Sequence, residues 1–496
     1  MGIVKFAVGV LLGMALICTS AAASGFENTA VGTAAAGMGG AFRSIADDWT
    51  ASYYNPAGLA FQKDNQLGAY ASFTQLRDEL RPNYLAGANQ TDFGIINGRN
   101  IYNFHQVFYT PGSGVVTRLP FLNEEVVFGL SAYQPFDYNI TWQLFQPLTS
   151  YNDSAEGRYP TVQFKNDLDV VAFQLSAAKS FSNDKLALGL GFQLLRADLF
   201  YNDVVFRQNP MPSELSADPR GLIPEFVSTN GNGWGFGFRA GLLYKFGKSS
   251  LGLTAAVPFD ITVKGTAKLE YLMPKNFALA NKYLVGSPEY LFIAGGDVHM
   301  TADVESKLKL PKSIAAAFSY RATEKLTVAL DAELTMWSRF DGYTFSYSNL
   351  SDLPKLSQGD SAQRAAAAAT WAYLGADTER PAKWKSAGKL ALGARYDLIS
   401  VLSLIGGGSF DQTADRDNNT STPQLVDTGD KLGLSLGGVL HPTSRFNCAL
   451  VLNWRHYPDL NSTAQNDLNG DGIVDSFPGS YKAQTIETQL SFDYRF

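Results

Sequence analysis

The last twelve residues of the chain alternate without a break. Ile486, Thr488, Leu490, Phe492, Tyr494 and Phe496 fall on one side of an extended backbone, and Thr485, Glu487, Gln489, Ser491, Asp493 and Arg495 on the other. Period-two alternation this regular requires a strand with one apolar and one wet face. The pattern recurs upstream. Leu326, Val328, Leu330, Ala332, Leu334 and Met336 alternate with Lys325, Thr327, Ala329, Asp331, Glu333 and Thr335. Leu432, Leu434, Leu436 and Leu440 alternate with Lys431, Gly433, Ser435 and Gly437, and Phe446, Cys448, Leu450, Leu452 and Trp454 with Asn447, Ala449, Val451, Asn453 and Arg455. Segments of about ten residues that alternate this way between turns are the mark of a transmembrane barrel.

Export fits that reading. Lys5, the apolar stretch from Phe6 to Cys18 and the small residues Ala21-Ala22-Ala23 form a secretory signal over 1–23, so the mature chain begins near Ser24. Lipidation at Cys18 is disfavoured, because Ile17 stands where a small residue should precede it. Cys448 is the one cysteine left, which excludes an intramolecular disulfide. Beyond the signal there is no run of 18 apolar residues, hence no membrane helix. The formal charge is 40 − 46 = −6 with no basic block, which argues against a nucleic-acid partner. The 33 Phe, 23 Tyr and 7 Trp suit strands better than solvated helices.

The expected fold is an all-β transmembrane barrel of fourteen antiparallel strands, near 66–77, 103–118, 126–137, 165–181, 185–205, 232–246, 251–264, 308–321, 325–338, 386–396, 401–411, 430–440, 446–457 and 483–496. Short links such as Ser182–Asp184, Gly247–Ser250 and His441–Arg445 alternate with long ones, which places both termini in the periplasm. The long loops are expected at 78–102, 138–164, 206–231, 265–307, 339–385, 412–429 and 458–482. Several carry apolar residues. Leu222, Ile223 and Phe226 cluster, Met273, Phe277, Ala280 and Leu284 recur at helical spacing, and Arg364 to Leu374 reads as a helix. These loops either cap the barrel or form an external hydrophobic groove that captures apolar ligands.

Ahead of the strands lies a small-residue stretch, Gly37-Met38-Gly39-Gly40-Ala41-Phe42, followed by Ala46-Asp47-Asp48 and the turn Asn55-Pro56-Ala57-Gly58. With Leu310-Pro311 before one strand and Met336-Trp337-Ser338-Arg339-Phe340 at the end of the next, the chain resembles the FadL family of outer-membrane transporters. The resemblance implies an N-terminal hatch (24–65) plugging the lumen of a barrel (66–496), with gating by Gly37, Gly39, Gly40, Asp47, Asp48, Asn55 and Pro56. It also implies passive transport of long-chain fatty acids or aromatic hydrocarbons across the outer membrane of a Gram-negative cell. Outer loops would capture the ligand, hatch motion would pass it inward, and a kinked wall would release it laterally. The partners are then a hydrophobic small molecule and outer-membrane lipid. The alternatives are a general porin for polar solutes, which needs an open lumen, and a barrel adhesin or lipid-hydrolysing barrel.

Little in the sequence suggests other chemistry. Asp467, Asn469, Asp471, Ile473 and Asp475 occupy ligand positions of an EF-hand-type loop whose position 12 is Pro478. That loop is either a weak extracellular calcium site or a ligand-free turn, and no other cofactor is expected. Gly433-Leu434-Ser435-Leu436-Gly437 has the nucleophile-elbow pattern, but it lies mid-strand, where no strand-to-helix turn is available. The four histidines are scattered and no Ser/His pairing emerges, so the chain reads as a non-enzyme. Nothing in the pattern sets the oligomeric state, for which a monomer is the expectation.

Overall fold

The computed structural model describes residues 25–28, 30–83, 98, 100–103, 107–118, 126–144, 162–211, 222–275, 277–351, 356, 360–415, 425, 429–463 and 478–496. The expected signal segment 1–23 and the expected calcium-type loop 467–475 lie outside these.

One antiparallel sheet closes on itself. Its strands are β1 (Gln66–Pro82), β2 (Ile101–Tyr102 and Val107–Arg118), β3 (Val126–Leu144), β4 (Val162–Phe181), β5 (Leu186–Gln208), β6 (Leu222–Phe246) and β7 (Ser249–Pro258 and Ile261–Lys275). They continue as β8 (Ala294–Leu308 and Ser313–Arg321), β9 (Leu326–Thr335 and Gly342–Ser351), β10 (Thr378–Pro381 and Ala387–Ile399), β11 (Leu402–Asp411), β12 (Lys431–Leu440), β13 (Phe446–Ser462) and β14 (Gly479–Arg495). β1 pairs with β14 from Gln66↔Arg495 to Pro82↔Gly479, which seals the ring. Closure satisfies backbone groups that hydrocarbon cannot, the requirement for a sheet in a bilayer. All fourteen expected strands are present.

The strand register is the expected one. Leu434 and Leu436 point outward, 61% and 71% exposed, whereas Ser435 turns inward and donates to the Gly407 carbonyl at 3.3 Å. Phe492, Tyr494 and Phe496 also lie on the outer face.

Strand length departs from expectation. Much of 206–231, 265–307 and 339–385 carries strand rather than loop. The physical reason is an inversion of the pattern. In the lower half of β8, Ile314 and Tyr320 face out and Ser313 and Ser319 face in. In its upper half Val298, Met300, Val304 and Leu308 are buried, while Asp297, His299, Glu305 and Lys307 are exposed. Water replaces lipid outside the upper half, so apolar residues turn to the interior. The phase flips where β7, β8 and β9 are interrupted side by side, at Phe259-Asp260, 309–312 and 336–341, and β10 is interrupted beside them at 382–386. Arg339 joins these interruptions, its guanidinium donating to the Leu310 carbonyl (3.0 Å) and to Asp260 (2.7 Å).

The expected helix near 364–374 forms as Ser361–Leu374, started by Asp360, which accepts from the Gln363 N–H at 2.8 Å in a capping box.

Candidate functional site

Residues 30–62 lie against inward-facing side chains from most of the ring. α1 (Thr33–Gly37) packs on β11 to β14, and α2 (Ala51–Tyr54) and the 3₁₀ turn Pro56–Phe61 pack on β3 to β6. Close approach explains the composition. Gly39 adopts φ +67°, and a Cβ there would stand 2.9 Å from the Gly408 backbone nitrogen. Side chains on the wall would collide in turn, since Gly393 and Gly407 face the Met38 backbone. Gly37 abuts Ile405 and Val451, and Gly40, at φ +94°, needs glycine for its conformation rather than for space. Asn55 closes the segment: its Oδ1 accepts from the Ala57 N–H (3.2 Å), and its amide donates to the carbonyls of Arg43 (3.0 Å) and Leu242 (3.1 Å). Pro56 begins the 3₁₀ turn.

Charge fixes this segment to the wall. Arg43 is buried, with its guanidinium 2.5 Å from Glu333 and 3.5 Å from Asp331. Asp331 also accepts the backbone N–H groups of Phe42 (3.2 Å) and Arg43 (3.0 Å). Asp47 meets Arg395 at 2.7 Å, but the two side chains remain 45% and 29% exposed, so this pair contributes little. Asp48 accepts from the Thr50 N–H at 2.8 Å, and burial followed by the neighbouring Asp47 charge pushes its carboxyl up to about 6. Glu27 accepts from the Tyr53 hydroxyl at 3.1 Å, and burial, then the charge of Glu333, raises its carboxyl to about 7.

The wall opens beside Glu27. β2 and β3 pair only from Ser113↔Ala132 to Arg118↔Val127; above that, the described residues share no ladder, only an isolated bridge between Asn103 and Trp142. The register of β3 on β4 slips between Tyr133 and Phe136, around Gln134-Pro135. A proline cannot donate to a ladder and favours such bulges. Tyr133, Gln134, Pro135 and Phe136 are all buried, although successive residues of a strand point to opposite faces. Here β3 bulges towards the interior, while its ladder with β4 continues on either side.

Its freed edge is taken by the N-terminus. The Asn28 N–H donates to the Pro135 carbonyl (2.9 Å), the Asp137 N–H donates to the Phe26 carbonyl (3.0 Å), and Glu27 bridges to Phe136. Thr110 of β2 reaches across the gap, its hydroxyl donating to Asp137 at 3.2 Å. Behind the gap lies a cavity of ≈ 130 Å³ whose lining mixes apolar Phe26, Phe108, Leu76 and Ile140 with the charged Asp78, Asp137, Lys431 and Arg455. Phe26 is itself held edge-on by Trp337 and Phe340, with ring centroids at 4.7 and 5.1 Å, and Trp384 lies beside them. The aromatic residues of the Met336–Phe340 motif thus seat the N-terminus.

The expected capture residues fall elsewhere than in a loop groove. Leu222, Ile223 and Phe226 lie on β6 and Met273 on β7, with Ile223 and Met273 buried inside the barrel extension. The helical spacing of Met273, Phe277 and Leu284 is not used: Phe277 opens a single turn (Phe277–Ala280), and Leu284 is 66% exposed. A strand and a short helix share that spacing, and the inverted alternation of 261–275 is what distinguishes them.

Sequence reasoning also missed a Ser/His contact. The Ser403 hydroxyl donates to Asp397 (2.7 Å) and lies 3.1 Å from His441 Nε2, with Asn447 2.7 Å from Nδ1. A hydroxyl has one proton, and with Asp397 accepting it Ser403 has none to give to His441. Glu270, Asp297 and His299 gather on the exposed face of the extension, their ligand atoms within 4.8 Å of one another, a grouping that only the β7–β8 register creates. The Arg43–Asp331–Glu333 set and the β3 bulge were missed too. The acids were visible on the wet face of β9, but nothing local paired them with an arginine almost three hundred positions away.

Comparison with known proteins gives one consistent result. The sequence profile of the family described as outer membrane protein transport protein (OMPP1/FadL/TodX) matches residues 14–496. A 47 kDa outer membrane protein of Pasteurella multocida is 23% identical over 288 residues, 58% of this chain and 56% of that protein. The chain spans about half the length of the curated relatives it matches. Among solved structures, a Pseudomonas aeruginosa FadL homologue superposes with a TM-score of 0.68 at 15% identity, covering 95% of this chain and 100% of the other. The Pseudomonas putida toluene transporter TodX gives 0.67 at 15% identity, covering 94% and 99%. At such identities these structures share the fold.

Proposed function

Because the chain belongs to the OMPP1/FadL/TodX family of outer membrane transport proteins, we propose that it carries hydrophobic small molecules, long-chain fatty acids or aromatic hydrocarbons, passively and releases them sideways between β2 and β3. The observation that carries this reading is the inward bulge of β3 at Gln134-Pro135, where the described residues of β2 and β3 share no ladder above Ser113↔Ala132, with a cavity of mixed polar and apolar lining beside it. Each methylene favours apolar surroundings by about 0.8 kcal/mol, so a greasy cargo resists a water-filled pore and gains from a side exit into lipid. Residues 24–65 act as the hatch, and Phe26 to Asn28 form its moving part. They cover the free edge of β3 through two backbone hydrogen bonds, and the cavity is lined by the same residues. A general porin would need a lumen free of such a segment.

A reversible staple tests the side exit. Thr110→Cys with Asp137→Cys, in a Cys448→Ser background, links β2 to β3 where their side chains already touch. Uptake of a radiolabelled fatty acid or toluene should fall when the pair is oxidised and recover on reduction. Undiminished uptake in the oxidised state removes lateral release. A large steady current from the unmodified protein in planar bilayers would instead make it a porin.

A further inference from the structure

We propose that the outer face of the barrel, at the level where β7 to β10 are interrupted, is a docking site for phosphate-bearing headgroups of outer-leaflet lipid. The height follows from strand length. Below the interruptions β7 has ten residues, β8 nine and β9 ten. A strand crosses hydrocarbon in about 9–11 residues, so the interruptions lie one hydrocarbon thickness above the periplasmic turns. Exposed side chains agree. Leu253, Ile314 and Leu392 face outward below this level, and Thr262, Lys264 and Glu305 above it.

At the boundary itself cations outnumber acids. Trp337, Phe340 and Trp384 turn inward and are buried, which leaves Arg339, Lys383 and Lys385 facing out beside Lys307, Lys309 and Lys312. These positions form one patch. Lys307 and Arg339 both reach Asp260, at 3.1 and 2.7 Å; Lys309 pairs with Asp341; and the Ser338 and Ser386 hydroxyls lie 2.8 Å apart between the cationic positions. Six cations therefore stand against two carboxylates on a chain whose net charge is −6.

The chemistry selects the occupant. Lysine and arginine side chains bind phosphate oxygens through charge-assisted hydrogen bonds. Basic clusters at a membrane surface hold anionic lipid. The apolar belt directly beneath accepts acyl chains, so an amphiphile with a phosphorylated head matches both halves at a single height. Free phosphate would use only the upper half.

The test uses the full mature protein in neutral detergent, with bound lipid counted by native mass spectrometry. A diphosphorylated acyl glycolipid is compared with the same glycolipid stripped of its phosphates. The phosphorylated form should bind, and 0.5 M salt should weaken it, because exposed charges are screened. Lys307→Gln, Lys309→Gln, Lys383→Gln and Lys385→Gln together should lower its affinity about tenfold or more. Lys179→Gln with Lys248→Gln, at the periplasmic end, should leave it unchanged. Equal binding of the phosphate-free lipid overturns the proposal without any variant, and so does wild-type affinity in the fourfold variant.

Discussion

Arg43→Ala should release the N-terminal segment while leaving the barrel intact. The magnitude follows from burial. The Arg43, Asp331 and Glu333 side chains are only 5%, 2% and 5% exposed, so removing the arginine takes from two buried carboxylates the guanidinium they share, with Lys389 and Arg239 still near Glu333. Breaking a buried pair from one side costs about 3–5 kcal/mol. At about 1.4 kcal/mol per decade, docking of the segment weakens by roughly two to three and a half orders of magnitude. The loss falls on the segment because the strands satisfy their own backbone groups and keep their lipid-facing surface. Two assays report it: protease cleavage within 30–62 and ion conductance in planar bilayers, both expected to rise while heat-resistant barrel migration on gels persists. Asp47→Ala is the contrast, since its half-exposed pair contributes at most about 1 kcal/mol. Removing the whole set, as Arg43→Met with Asp331→Asn and Glu333→Gln, should restore much of the docking, because no buried charge is then left alone. An Arg43→Ala protein that conducts no better than wild type and stays protected would refute the anchoring argument.

Two further outcomes are expected. Glu27 titrates at about 7 in the folded protein against an ordinary 4.5, so the docked state holds a proton that the undocked state loses between those values. Docking of Phe26–Asn28 on β3 should therefore strengthen as pH falls from 7 towards 4.5 and weaken as pH rises through 7. Exchange of the Asn28 and Asp137 amides, corrected for intrinsic rates, reads this, and Glu27→Gln should flatten it. Separately, Leu434→Arg on the lipid face should cost about 2–4 kcal/mol in folding titrations, against little for Ser435→Thr on the lumen face. Equal costs would mean that the register is wrong.

Legibility of the site stopped at contacts distant in sequence. The glycine at 39 could be read as a close approach, yet its partners Gly407 and Gly408 belong to a strand that sequence alone treats as ordinary wall. The β3 bulge carried a usable signal, a Gln-Pro pair within an alternating stretch. The pair lies inside the expected strand 126–137, where by itself it does not distinguish a bulge from plain wall. The N-terminal residues Phe26–Asn28 gave no signal at all. Their role is to complete the backbone of another strand, and backbone pairing leaves little trace in side-chain identity.

The fold was legible for a physical reason that also explains its errors. In hydrocarbon the outer face must be apolar and the inner face has freedom to be polar, so each lower strand announces itself. Above the membrane the same strand continues, water lies outside, and packing against the barrel's own contents becomes the source of apolar burial. Alternation survives with opposite phase, as in Ile261, Val263, Ala267, Leu269, Tyr271 and Met273, all buried, against exposed Thr262, Lys264, Thr266 and Lys268. A search for strands in a single phase reads this second half as loop and finds its buried residues suspiciously greasy. The capture groove assigned to Ile223 and Met273 arose in this way. A strand that keeps its period and reverses its phase marks the membrane boundary itself, to within a residue or two, before any coordinates are known. In this chain the reversal occurs at three neighbouring strands together, β7, β8 and β9, and at each of them the backbone breaks where the two solvents meet.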